Sequence, residues 1–188
     1  MKPTDVLKTE HKAILLMLDV IEAVSGKLEA GENVPGDHLT KIVDFISGFA
    51  DKCHHAKEED LLFPALEKAG ISRQGGPVGV MLAEHSEGRE FVRKLKEAAE
   101  KYAAGDKNAG CRFAQNARGY ASILSQHIPK EDNILYPIAD ARLSPQTQKT
   151  LEKEFERVEE KVVGRGKHEE YHRLLNELER AYCESPTG

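Results

Sequence analysis

Four long segments of this chain repeat their apolar residues at helical spacing, and no segment alternates them at the spacing of a strand. The first, about Thr4 to Glu29, carries Leu7, Ile14, Leu15, Leu18 and Ile21. The second starts near Asp37, carries Leu39, Ile42, Val43, Ile46 and Phe49, and continues through "HHAKEEDLLF" to Gly70, with a bend expected at Pro64. The third carries Val78, Met81, Leu82, Val92 and Leu95; the fourth, about Asn108 to Ala141, carries Phe113, Tyr120, Leu124, Leu135 and Ile138. Helices of this kind joined by short loops bury their stripes against one another, so the expected fold is all-α, a four-helix bundle over residues 1–143. Beyond "LSPQTQ", the spacing of Leu151, Phe155 and Val158, and then of Tyr171, Leu174, Leu175 and Leu178, predicts two additional C-terminal helices. Residues 144–188 then form an extension packed on the bundle.

The charge balance narrows the function classes. A formal net charge of −5, with no basic run, argues against nucleic acid as a partner, because a phosphate backbone asks for a basic excess. Apolar runs such as "AILLML" fall short of the ~20 residues that span a bilayer, and "MKPTDVLKTEHK" has no apolar core of a secretory signal. The expectation is a cytoplasmic chain with no membrane partner. Cys53, Cys111 and Cys183 are too scattered for a disulfide framework or a cysteine zinc site.

The chemistry lies in a repeat. "HHAKEEDLLFP" (54–64) and "HIPKEDNILYP" (127–137) align without a gap as H-x-x-K-E-acidic-x-x-Leu-aromatic-Pro. A histidine and a glutamate four apart share a helix face, ~40° apart in projection, so each helix offers an imidazole and a carboxylate to one region. His11 falls in the stripe of the first helix and His85 in that of the third, and both point inward. The candidate set is His11, His54, Glu58, His85, His127 and Glu131. Six polar groups in one core are costly unless something pairs with them. Two cations bridged by the glutamates and flanked by the imidazoles would do so, and this donor mixture suits iron, with manganese and zinc as alternatives.

His11, His54-x-x-x-Glu58, His85 and His127-x-x-x-Glu131 on four successive helices, with the flanks "EEDLLFP" and "EDNILYP" and Glu84-His85, resemble the hemerythrin-like (HHE cation-binding) domain over roughly residues 4–141. The resemblance implies an up-down bundle around a non-haem di-iron centre, oxo- or hydroxo-bridged. It also implies small-molecule partners, O2, NO or peroxide, or iron handling that includes donation for iron–sulfur cluster repair. Whether such a chain senses or turns over its ligand stays open.

Three features depart from the pattern or leave it ambiguous. Oxygen-carrying hemerythrins resemble a third-helix H-x-x-x-H, whereas Arg89 stands four after His85, so one metal position lacks an imidazole unless another residue supplies it. Asp132 follows Glu131 and competes with it, all the more because Pro129 can distort the helix; His55 with Glu59 repeats the spacing one residue on. The internal repeat favours Glu131, and the downstream register favours His54 with Glu58.

"HEEYH" (168–172) fits H-E-x-x-H, the zinc-peptidase pattern. A third ligand is missing, since Leu175 and Leu178 stand where one peptidase group has Gly and His, and only 16 residues follow His172. His168 and His172 are expected either on the polar side of the last helix or as donors of the imidazole that Arg89 does not provide.

Overall fold

The computed structural model describes residues 1–164 and 166–183; among them there is helix and no strand. Arg165 of the expected "GRG" break and residues 184–188 of the expected extension lie outside the described residues. Helix α1 spans Pro3–Glu29, α2 36–68, α3 Pro77–Ala103, α4 108–142, α5 145–164 and α6 Lys167–Tyr182. A proline suits the first turn of α1, where its missing N–H costs nothing, and the Asp5 carboxylate accepts the Lys2 backbone N–H at 3.0 Å. Gly31, Gly70 and Gly105 end the first three helices at φ of 74°, 90° and 100°, a conformation glycine adopts without a Cβ penalty.

Two helices leave α geometry where the repeat lies. Helix α2 is π-helical over Ile46–His55 and Glu58–Leu62, and α4 over Glu131–Leu135. Pro64 and Pro137 fall just where α bonding resumes, positions at which a missing N–H is tolerated. The distortion expected at Pro64 is therefore a change of hydrogen-bond pattern that begins well upstream. With i→i+5 bonding each turn holds more residues, so neighbours are separated by less than the ~100° of an α-helix. His54 and His55 both reach the core as a result, at 1 % and 4 % exposure.

The buried apolar residues form two clusters. One gathers Ile14, Ile21, Phe49, Leu95, Phe113 and Leu124; the other gathers Leu7, Leu62, Phe63, Met81, Leu135 and Tyr136. Along α1 and α3 the chain passes from the second cluster to the first, and along α2 and α4 it returns. On every one of these helices the candidate histidine or glutamate falls between the two. The stripe of α1 differs from its expected course at one position: Leu15 is 41 % exposed, while Met17, Val20 and Val24 are buried.

Helices α5 and α6 bury Leu151 and Phe155 in one cluster and Leu175 and Leu178 in the other. Each such side chain contributes about 1.5–3 kcal/mol relative to exposure. Gly48 on α2 permits the closest approach: a Cβ there would stand 1.7 Å from the Tyr171 hydroxyl. No helix among the described residues is long and apolar enough to cross a membrane.

Candidate metal centre

His11, His54, His85, His127, Glu58 and Glu131 all lie in the polar layer between the clusters, each no more than 2 % exposed. Glu131 sits amid them, one oxygen 3.1 Å from His11 Nε2 and 3.2 Å from His127 Nε2. Glu58 Oε2 lies 3.5 Å from His85 Nε2 and 3.7 Å from His54 Nε2, and its other oxygen accepts the Tyr136 hydroxyl at 2.7 Å. The donor atoms fall into two groups, each within 4.8 Å: His11, His54 and Glu131, and His55, Glu58, His85 and His127. Both are of a size that one ion could share.

The fit of cations here can be judged from atoms left without partners. His54 Nε2, His55 Nε2, Glu58 Oε2 and both oxygens of Glu131 are fully buried without a well-directed hydrogen bond, Glu131 Oε2 having only its ion-pair contacts with His11 and His127. Each such atom costs about 1–3 kcal/mol, and more where it carries charge. Imidazole and carboxylate donors converging on two points are the set that iron, manganese or zinc binds, so the residues present fit a metal pair.

Each inward-facing ring is held from behind. Nδ1 of His11 meets Asp132 at 2.9 Å, that of His54 meets Glu10 at 2.9 Å, that of His85 meets Glu59 at 2.7 Å and that of His127 meets Glu84 at 2.9 Å. His55 Nδ1 has Asp51 at 3.4 Å. A carboxylate behind an imidazole fixes its orientation and raises its basicity toward a metal. The arrangement repeats in halves. Glu10-His11 corresponds to Glu84-His85; His54, Lys57, Glu58 and Glu59 correspond to His127, Lys130, Glu131 and Asp132. Lys57 pairs with Glu10 as Lys130 pairs with Glu84. Of the outer carboxylates, Asp132 was already a candidate in the sequence and Glu59 was noted beside His55, whereas Glu10, Glu84 and Asp51 were not singled out as partners, although the two "EH" pairs carried a signal.

Glu131 is central and Asp132 stands behind His11. His55, the residue next to the expected ligand, occupies the gap beside His85, its ring stacked at 3.8 Å on that of His85. Arg89 is no donor; it clamps Asp51 and Glu59, at 2.8 Å each, the carboxylates behind His55 and His85. The terminal helix does not fill the gap. His168 and His172 pack on Phe49, with ring centroids 5.3 and 5.7 Å away, and neither joins either donor group. His168 instead converges with Glu10 and Glu159, where the Lys57 ammonium already sits between the two carboxylates. Among the described residues, no group of metal-ligating side chains contains both His168 and His172. Burial pushes the Cys53 thiol up to about 12, and its sulfur belongs to neither donor group.

The electrostatics are those of a core holding protons in place of cations. Burial, then the neighbouring Glu131, raises the Glu58 carboxyl well above the usual range. Glu131 stays well below it: burial opposes its charge, but His11 and His127 outweigh burial. His11 is raised to about 9 by Asp132 and Glu131 against the effect of burial, whereas burial and then the charge on His11 lower His54 to about 4. Glu131 and His11 thus face each other with opposite charge, His127 is raised too by Glu131 and Glu84 against burial, and a metal would have to displace protons.

The sequence profile of the hemerythrin HHE cation-binding domain matches residues 2–139. The chain belongs to that family. Its relatives include an uncharacterized protein of Mycobacterium tuberculosis (strain ATCC 25618 / H37Rv), 25 % identical over 86 % of this chain and 62 % of its own length. Another is the iron-sulfur cluster repair protein YtfE of Yersinia pseudotuberculosis serotype IB (strain PB1/+), 26 % identical over 67 % of this chain and 56 % of its own length. The chain thus spans less than two thirds of either relative. No solved structure matches. Family and donor cluster together identify a metal-binding hemerythrin-like protein.

Proposed function

We propose that this chain is a non-haem di-iron protein, an up-down four-helix bundle with two added C-terminal helices, acting in the cytoplasm on O2, NO or peroxide. The observation that carries the reading is the set of buried donors left without a hydrogen bond, His54 Nε2, His55 Nε2, Glu58 Oε2 and Glu131 Oε1, converging between two apolar clusters. His11 and His54 would hold one ion, His55, His85 and His127 the other, with Glu58 and Glu131 between them. Bound there, a pair of irons supplies one-electron chemistry with small oxygen and nitrogen ligands.

The chain's own residues set the conditions for that chemistry. Three imidazoles face one position and two face the other, so the position at His11 and His54 is the more open and the one a small molecule would reach. Tyr136 holds Glu58 through its hydroxyl, 3.4 Å from His11 Nε2, and keeps a proton beside that position. The flanking apolar layers exclude water and so confine access to small, uncharged or weakly polar molecules. His55 would supply the imidazole that Arg89 does not.

Donation of iron for cluster repair is the second reading, favoured by the likeness to the iron-sulfur cluster repair protein YtfE of Yersinia pseudotuberculosis. Metal analysis of natively purified protein by mass spectrometry, with visible spectra before and after air exposure, tests the proposal. About two irons per chain, lost in His54→Ala, are expected. A single zinc, or no metal after anaerobic iron reconstitution, would overturn it. Release of iron to an apo-ferredoxin, without consumption of peroxide or NO, would select the second reading.

A further inference from the structure

The two halves of the centre are built alike but are not covered alike. In each, a histidine Nδ1 meets one oxygen of a glutamate whose other oxygen takes a lysine: His54–Glu10–Lys57 and His127–Glu84–Lys130. Lys130 keeps 36 % of its side chain exposed, and its glutamate 22 %. Lys57 has none exposed, and its glutamate 4 %. The difference is made by α5. Glu159 accepts from the Lys57 ammonium at 2.5 Å, and the buried Phe155 ring lies 5.7 Å below it. A fully buried ammonium requires anionic acceptors, and here the bundle supplies one and the extension the other.

We propose that Glu159 is a positioning residue for the metal centre: through Lys57 and Glu10 it fixes His54, and so couples docking of the C-terminal extension to occupancy of the position that His11 and His54 face. The proposal rests on the di-iron reading for the identity of the occupant. Its physics is the sharing of one cation. With Glu159 in place, Lys57 divides its charge between two carboxylates, and Glu10 remains a strong acceptor for the His54 Nδ1–H. Without Glu159 the ammonium falls on Glu10 alone, Glu10 accepts more weakly, and His54 becomes a poorer donor through Nε2. Coupling of this kind is reciprocal, so an ion held by His54 must favour the docked extension by the same factor.

The test compares the wild-type chain with Glu159→Gln and, at the uncovered half, Lys130→Met. Histidine 15N resonances of the metal-free chains report ring tautomer and orientation. Cobalt(II) titration followed by visible absorption reports the two positions, the weaker being the one with two imidazoles. Tryptic cleavage within residues 144–188, with and without cobalt(II), reports docking. Glu159→Gln is expected to shift the His54 resonances and spare those of His127. It should weaken the weaker cobalt position roughly three- to tenfold, less than the ~10–100-fold of a direct outer partner. Protection of the extension by cobalt(II) should fall by the same factor. Lys130→Met should shift His127 and leave cleavage of the extension at the wild-type rate. Unchanged His54 resonances in Glu159→Gln, whether or not cleavage accelerates, would make Glu159 a docking contact and overturn the proposal, as would equal loosening of the extension by Lys130→Met. A wild-type chain that takes up no cobalt(II) would sink the metal reading, while the metal-free His54 resonances would still decide the role of Glu159.

Discussion

Replacing His55 by leucine should raise the stability of the metal-free chain and lower that of the loaded one. In the metal-free core His55 Nε2 is buried without a partner, and Nδ1 has only Asp51 at 3.4 Å. Removing an orphaned polar atom returns about 1–3 kcal/mol. Loss of the stack on His85, at 3.8 Å, gives back about 0.5–1.5 kcal/mol. The net gain is about 1 kcal/mol, or roughly 2–4 °C in Tm for a chain of this size. In the loaded protein the same change removes one of three imidazoles from a metal position. Loss of an outer partner alone costs about 10–100-fold in affinity, so loss of a donor should cost about 100-fold or more, some 2.7 kcal/mol. By linkage this appears as lost stability, several degrees below wild type under the same metal concentration. Thermal unfolding in excess chelator and in excess cobalt(II) reads both signs. A His55→Leu chain that melts below wild type in chelator and still binds two ions at wild-type affinity would refute the reasoning and make His55 a packing residue.

Other consequences follow from the same geometry. Arg89→His should add no donor; it should release Asp51 and Glu59, leave the metal count at two and weaken binding at the His55 and His85 position by about tenfold, as metal titration will show. Tyr136→Phe leaves Glu58 Oε1 without its hydroxyl partner and should cost about 1–3 kcal/mol in the metal-free chain, read by denaturant unfolding. Because the metal-free His11 imidazolium is held to about 9 and Glu58 is raised well above its usual range, loading must expel protons. Apparent affinity should therefore rise with pH up to about 9, and binding in weak buffer should acidify the solution. A pH-independent affinity between 6 and 9 would contradict that protonation pattern.

The helices and the inward histidines were legible because two periods coincide: the apolar stripe and the H-x-x-x-E spacing both repeat on the same faces. The place of His55 was not, because an α-helical wheel puts neighbours ~100° apart and allows only one of two adjacent residues into a core. The π-helical bonding of α2 narrows that angle, and nothing in the residues 46–55 announces it. Leu15 is a different case: α1 is regular α-helix, and the ~100° step from the buried Ile14 turns Leu15 outward. Glu10 and Glu84 were visible as letters but not as partners, since Glu10 meets His54 and Glu84 meets His127 across two helices, whereas Asp132 already stood as a candidate. The role of His168 depended on how α5 and α6 lie against α2, which amphipathic spacing alone does not set. Gly48 was the one local hint that a bulky side chain, Tyr171, would come close there.

The central claim is that two ions share the layer between the apolar clusters, bridged by Glu58 and Glu131. X-ray absorption at the iron edge of the anaerobically reconstituted chain tests it most directly. The account predicts two irons per chain, imidazole scattering around both, and an iron–iron vector of about 3.5–4 Å. A single iron without a metal neighbour, or full reconstitution that survives loss of both Glu58 and Glu131, would contradict it.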